Sequence, residues 1–245
     1  MITHTQVIVL KVIDYGESSK ILTVLSAEHG KIALIAKGAK KPKNKLSGIL
    51  EIGAVLDVVY YYKQSRGVQT LTEASIYYAT NNFRKDFERA AILYATLELL
   101  SQLVHENEVN KPVFSFALNF IKWLGDSEES YPAVFAYVQL RLAEIGGIGL
   151  VSGFHKIPEN AYLNVTSGNI SEQAEDDMSY KLTSAQTRFL ILSLSGKSKE
   201  IFNVGLENGE LRQLVHHLDV YFKYHIEGYQ ERRSDSIFEK MLQVN

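Results

Sequence analysis

The chain has 245 residues, enough for one or two domains with substantial cores, and carries 26 Lys/Arg against 28 Asp/Glu. It has no cysteine, which excludes disulfides and every thiolate-based metal site or nucleophile. The charge is divided unevenly: residues 1–80 hold 10 Lys/Arg and 6 Asp/Glu, residues 81–245 hold 16 and 22, so a basic head precedes an acidic body.

The first stretch, MITHTQVIVLKVIDYG, has neither the basic flank nor the long apolar stretch of a signal peptide and reads as a first strand. Gln6–Ile13, Lys20–Ser26 and Lys31–Lys37 are β-branched or apolar runs separated by Asp14-Tyr15-Gly16-Glu17 and Glu28-His29-Gly30, whose glycines suit tight turns. A Gly/Lys/Pro-rich loop follows, then Ala54–Tyr62, a Gln64-Ser65-Arg66-Gly67 turn, and a last strand near Val68–Tyr78. Five short strands in under 80 residues predict an all-β, five-stranded, partly open barrel of the kind that oligonucleotide-binding (OB) domains form. Apolar residues occupy both parities of the first strand, so part of its outer face is expected to lie under helices.

Composition changes near residue 80. Apolar residues then recur at helical spacing over 84–105, from Pro112 to Gly125-Asp126, and from Tyr131-Pro132 to Gly146-Gly147. Thr183-Ser184-Ala185-Gln186 is a capping-box pattern, a long helix is predicted over 208–228, and Ile237, Phe238 and Met241 mark a short final one. Residues 147–182 break the rhythm with Gly, Ser, Asn, Asp and Glu and predict a small irregular polar insert, with 164–169 reading as a small hairpin turn. The expected organisation is a barrel over residues 1–80 and a mainly α-helical domain over 81–245 that contains this insert.

The strongest functional signal is the loop after the third strand. Lys31, Lys37, Lys40, Lys41, Lys43 and Lys45 bring six positive charges, and no acid occurs between Gly30 and Leu50. Unpaired ammonium groups on a small sheet suit the phosphates of a nucleic acid, irrespective of base. Tyr15, Tyr60, Tyr61 and Tyr62 are candidates for stacking on bases; since neighbouring strand residues cannot all face one way, the platform is either Tyr61 or its two neighbours, and Tyr61 is taken as the site residue.

Catalytic patterns are missing. Gly196-Lys197-Ser198 lacks the glycine that a phosphate loop needs five residues earlier, no nucleophile elbow or triad is visible, and no HExxH occurs. A thiolate-free zinc site would need His155 with Glu172, Glu175, Asp176 or Asp177; these carboxylates read as a solvated loop, and neither metal nor cofactor is expected. No apolar run is long enough to cross a bilayer, so no membrane partner is expected, and a cytoplasmic location fits the absence of cysteine.

The ordered set Tyr15-Gly16-Glu17-Ser18-Ser19-Lys20, Gly30-Lys31, Ala36-Lys37-Gly38-Ala39-Lys40-Lys41-Pro42, Leu46-Ser47-Gly48 and Gly67-Val68-Gln69-Thr70-Leu71 resembles the RecO family of bacterial DNA repair proteins. Gln139-Leu140-Arg141-Leu142 with Gly146-Gly147 is similar to the family's stretch before its central insert. The resemblance implies a nucleoid-associated mediator of DNA repair and homologous recombination, not an enzyme. Such a protein binds single- and double-stranded DNA, anneals complementary strands, and works with RecR to load RecA onto DNA covered by single-stranded-DNA-binding protein (SSB). It implies Lys37, Lys40, Lys41, Lys43 and Lys45 as phosphate contacts. The acidic SSB tail needs basic residues beside apolar helix faces, and Arg212, Lys223, Arg232 and Arg233 meet that need in the sequence. Many family members carry a four-cysteine zinc module in the insert, which this cysteine-free chain replaces with a metal-free one. A protein-binding scaffold and an RNA-binding OB module are the alternative readings.

Overall fold

The computed structural model describes residues 1–42, 44–79, 83, 86–128, 131–154, 156–196 and 198–243. By compactness the chain forms two units, Met1–Glu128 and Glu129–Asn245.

In the first unit, β1 (Ile2–Tyr15), β2 (Ser19–Ser26), β3 (Gly30–Ala36), β4 (Val55–Tyr61) and β5 (Val68–Tyr78) close a barrel in the order β1-β2-β3-β5-β4. All the pairings are antiparallel except β3 with β5. β1 is long enough to serve two neighbours: its first half pairs with β4 and its second with β2, with a bulge between Val9 and Lys11. Alternation fills the barrel with Val7, Val9, Leu22, Val24, Ile32, Leu34, Leu56, Val58, Tyr60 and Leu71. The buried Tyr60 hydroxyl lies 2.6 Å from His29 Nδ1, and the His29 ring stacks on Tyr62 at 3.7 Å.

Helix α1 (Phe87–Leu103) packs against β1, and Leu93 and Leu97 fill the space over Gly53. Ile8, Leu10, Leu25 and Val55 are buried on the outer parity of their strands, which explains the apolar residues on both faces of the first strand. Helix α2 (Lys111–Asp126) is capped by Asn110, whose side chain accepts from Val113 N. Arg89 joins the two helices: it pairs with the α1 cap Asp86 and donates to the carbonyls of Leu124 and Glu128, satisfying acceptors at the end of α2. The helix ends at Gly125-Asp126, as the sequence suggests, and a Cβ at Gly125 would meet the Tyr78 hydroxyl at 2.2 Å. That hydroxyl donates to Asp126 at 2.6 Å, and burial pushes its pKa up to about 12.

The second unit contains α3 (Val134–Ile145), α4 (Ser184–Leu194), a short 3-10 helix (Ser198–Asn203), α5 (Asn208–His225) and α6 (Asp235–Gln243). The Thr183–Gln186 capping box forms in both directions. The polar insert contains four short strands, β6 (Val151–Ser152), β7 (Ala161–Asn164), β8 (Asn169–Ser171) and β9 (Ser179–Leu182), in the order β6-β8-β7-β9. Only its 164–169 turn was suggested by sequence, because strands of two to four residues carry too little periodicity to be recognised. From α5, Tyr221 donates to the Ile148 carbonyl at 2.7 Å and His225 Nε2 lies 2.8 Å from the Val165 carbonyl, fastening the insert to the helices.

Candidate nucleic-acid interface

Directly paired strand residues share a face, so the register builds the outer surface row by row. Ile13 pairs with Ile21, Ile21 with Ile35, Ile35 with Thr70, Thr70 with Tyr61, and Tyr61 with Ile2. This belt crosses all five strands on the side opposite the packed interior. Ile13 is 45 % exposed, Tyr61 49 % and Ile2 55 %. From Ile13 to Tyr61 there are four interstrand steps of about 4.8 Å, or roughly 19 Å along the curved surface. The next row, Lys11, Thr23, Ala33 and Val68, runs alongside. On the other side stand Tyr15, which is exposed, and Lys37, which continues the outward parity of β3.

The lysine-rich loop leaves β3 beside this belt and is ordered by its own polar groups. Asn44 Nδ2 donates to the Gly38 carbonyl at 2.8 Å, its Oδ1 accepts from Leu46 N at 2.8 Å, and its backbone N–H bonds Lys41 O. Gly38 takes a positive φ of 71°, which lets the strand turn at once into the loop. Lys40 N donates to Ser18 O at 2.9 Å, which ties the loop to the β1–β2 turn next to Tyr15.

The candidate lysines fall into distinct environments. Lys37, Lys41 and Lys45 are exposed, with no ion pair among the described residues. Lys40 is paired: its Nζ lies 2.8 Å from Asp14 Oδ2, and that ammonium holds the Asp14 carboxyl below the usual carboxylate range. The acid-free stretch around the loop therefore did not leave Lys40 unpaired, because barrel closure brings a carboxylate from the end of β1. Lys31 is also engaged. It is half-buried, its Nζ donates to the Ser101 carbonyl at 2.8 Å in the last turn of α1, and burial lowers its pKa. There it supplies the positive charge that the end of α1 otherwise lacks, which corrects its place among the open phosphate contacts. Lys43 lies outside the described residues.

Tyr61 belongs to the belt, several strands from Tyr15, while Tyr60 fills the core and Tyr62 stacks on His29. Sequence reading missed the aliphatic part of the surface: Ile13, Ile21 and Ile35 look like core residues until the register shows them outside. It also missed Lys11, Lys63 and Arg66, all exposed.

In the helical unit, Arg212 is exposed and lines a cavity of about 320 Å³ with Val215, His216, His217, Asp219 and Phe238. His217 stacks on Tyr180 at 4.2 Å, and burial with the neighbouring His216 pushes its pKa down to about 4. Lys223 and Arg233 are exposed. Arg232 is not: it is 4 % exposed, its guanidinium binds both Asp219 oxygens, and it pairs with Asp235 at 2.7 Å. The polar run around it resembles surface, but the fold turns this one arginine inward, so it is removed from the candidate partner rim.

His155 lies outside the described residues. Glu175 accepts from Asn169 at 2.8 Å and Asp176 from Met178 N at 2.8 Å; among the described residues no group of three His, Cys, Asp or Glu side chains is placed to hold a metal ion. Nor, among the described residues, is any helix long and apolar enough to cross a membrane.

Two family models match the chain, "Recombination protein O N terminal" over residues 1–79 and "Recombination protein O C terminal" over residues 84–234. The DNA repair protein RecO of Chlorobium limicola is 36 % identical over 58 % of the chain and 54 % of its own length. That of Chloroherpeton thalassium is 27 % identical over 99 % of the chain and all of its own length. That of Prosthecochloris aestuarii is 31 % identical over 70 % of each. The matches to several of these relatives span about half of their length.

Proposed function

Because the chain belongs to the RecO family of DNA repair proteins, we propose that its barrel binds DNA, single- or double-stranded, without regard to base order. The outer belt takes bases and the lysines beside it take phosphates. The observation that carries this reading is the Ile13–Ile21–Ile35–Thr70–Tyr61 row on the outer face, with β3 leading from it into a loop whose Lys37, Lys41 and Lys45 are exposed and form no ion pair among the described residues. Aliphatic and tyrosine side chains accept any base face, and ammonium groups read no sequence. A surface that grips strands without reading them can hold two complements until they pair, which suits annealing.

Within the family's role, the chain acts as a mediator and not a catalyst. It works at the nucleoid with RecR to load RecA onto DNA covered by SSB. Arg212, Lys223 and Arg233 are the side chains proposed to meet the acidic SSB tail, with Val215 and Phe238 in the otherwise polar cavity beside Arg212 to take its aromatic ring.

Titrating single-stranded DNA, duplex DNA and RNA across salt tests the barrel reading. Affinity is expected to fall steeply with salt, and the K37E/K41E/K45E variant to flatten the single-strand slope by about 2, at about 0.7 per phosphate contact. Binding by the variant equal to that of the unaltered protein at low salt overturns this site. Tight binding of RNA alone favours the RNA-binding alternative.

A further inference from the structure

The cavity beside Arg212 has two walls. Helix α5 supplies one, with Arg212 and Val215, and α6 the other, with Asp235, Phe238 and Glu239. A helix of nine residues is too short to hold itself together in water, so α6 keeps its shape only while it is docked. Few contacts dock it. Its buried side chains are Phe238, Met241 and Leu242, and the Phe238 ring meets Phe135 of α3 at 5.0 Å between centroids. At the first turn of α6, Asp235 pairs with Arg232 at 2.7 Å. At its last turn the Leu242 carbonyl accepts from Asn208 Nδ2 at 2.8 Å, which satisfies one of the acceptors a helix end leaves open. Arg232 is itself held by Asp219 of α5. Asn208, Arg232 and Met241 do not line the cavity.

We infer that α6 is a movable wall of this cavity, and that Asn208, Arg232 and Met241 are positioning residues that set how often the wall is in place. This rests on the proposed docking of an acidic peptide with an aromatic ring beside Arg212, and names what regulates it. A short helix held by three apolar side chains, one ion pair and one hydrogen bond opens at lower cost than the helices it packs on. Opening takes Phe238 away from Val215, so the aromatic ring has its slot only in the docked state. The apparent affinity for the peptide is then the affinity of the docked state scaled by the docked fraction. By linkage, the peptide in turn holds α6 down. The charges fit this arrangement. Asp219 and Asp235 are both occupied by Arg232, Arg212 is the exposed cation on α5, and the exposed Glu239 on α6 turns the peptide's carboxylates toward α5.

Amide hydrogen exchange and fluorescence anisotropy on the full chain test the wall, with a labelled peptide of consecutive aspartates ending in phenylalanine as the probe. In the unaltered protein residues 235–243 are expected to exchange faster than α3. The peptide at about 100 times its Kd is expected to slow them about 100-fold. N208A should speed that exchange about threefold to tenfold. M241A is expected to lower peptide affinity at least about tenfold, with exchange in α3 unchanged, and the volume-conserving M241L to retain the affinity. The salt dependence of binding should stay the same in M241A and weaken in R212E, which removes a charge that meets the peptide. Three results overturn the movable wall and leave the partner site standing: exchange over 235–243 as slow as in α3, full affinity in M241A while R212E binds weakly, or a loss in M241A matched by equal loosening of α3. If R212E binds the peptide as tightly as the unaltered protein, the partner site itself fails.

Discussion

Lys40 and Asp14 form an ion pair at 2.8 Å, linking the start of the lysine-rich loop to the end of β1. The Lys40 backbone adds a bond to Ser18 O from the same turn. The carboxylate occupies the place a phosphate oxygen would take on that ammonium, so Asp14 competes with DNA for Lys40. The D14N variant is expected to bind single-stranded DNA about twofold to fivefold more tightly at low salt, the scale of an exposed ion pair. Its salt slope should steepen by about 0.7 as one more phosphate contact becomes available. Because Lys40 holds the Asp14 pKa below 3.8, the pair's contribution is complete above that value and is lost only as pH falls through the lowered one. The difference between D14N and the unaltered protein should therefore be constant between about pH 5 and 8; an unchanged affinity in fluorescence anisotropy would refute the competition.

Gly30 makes a prediction about the barrel's support. It opens β3 with a φ of 65°, and a Cβ there would stand 1.9 Å from the Glu108 carbonyl oxygen. Next to it, Lys31 O accepts from Asn107 N at 2.9 Å, so the α1–α2 connection lies directly on the strand. Both the left-handed backbone and the contact forbid a side chain. G30A is expected to cost more than about 2 kcal/mol in urea denaturation. Gly16, also at positive φ but with open space around its Cβ position, provides the control: G16A should cost only the backbone strain, about 1 kcal/mol.

The difference between those glycines shows what could and could not be read in the sequence. Barrel strands were legible because β-branched runs alternate with Gly-containing turns, and the Thr183–Gln186 box because capping is a local matter of four residues. The lysine loop was legible as composition. Its electrostatics were not, since Asp14 reaches Lys40 and Ser101 reaches Lys31 only after the chain has closed on itself. The belt was hidden for a related reason: Ile13, Ile21 and Ile35 have the same composition as core residues, and only strand register assigns their face. Arg232 was hidden because a polar residue carries no sign in the sequence that it will be buried and satisfied by carboxylates.

Asn164 is the polar hub of the insert. It is fully buried; its Nδ2 donates to Asn169 Oδ1 and Ser171 Oγ, each at 2.9 Å, and to Gln173 O at 3.3 Å, and its Oδ1 accepts from Glu175 N at 3.2 Å. One side chain thereby holds β8 and the 173–175 segment to β7, a cross-link made without metal. N164A removes four hydrogen bonds made by a buried amide, while the partners it leaves behind are intermediate or exposed and can turn to water; it is expected to cost about 1–2 kcal/mol, with amide protection lost first over residues 161–182. A chelator should leave the melting temperature of the unaltered protein where it was. A chelator-induced drop, or one stoichiometric zinc in metal analysis, would sink the metal-free account.

The buried Arg232 sets the last expectation. Its guanidinium lies between Asp219 and Asp235, with the Tyr229 hydroxyl 2.9 Å away and its planar group over the Phe135 ring at 4.9 Å. Replacing it with Met keeps much of the volume but leaves two carboxylates facing each other without a cation. Breaking such a pair is expected to cost about 3–5 kcal/mol at neutral pH. Burial already raises the Asp235 pKa above 3.8, and Arg232 is the group that opposes the rise. In R232M the rise should be larger. A carboxyl with a raised folded-state pKa gives stability that is full below its unfolded value and is lost as pH rises through the folded one. The deficit of R232M should thus be smallest near pH 4 and widen toward neutrality, and R232M/D235N should recover part of it at pH 7. Parallel urea curves from pH 4 to 8 decide the point: a deficit that does not change with pH would mean that Arg232 contributes through packing on Phe135 and not through its charge.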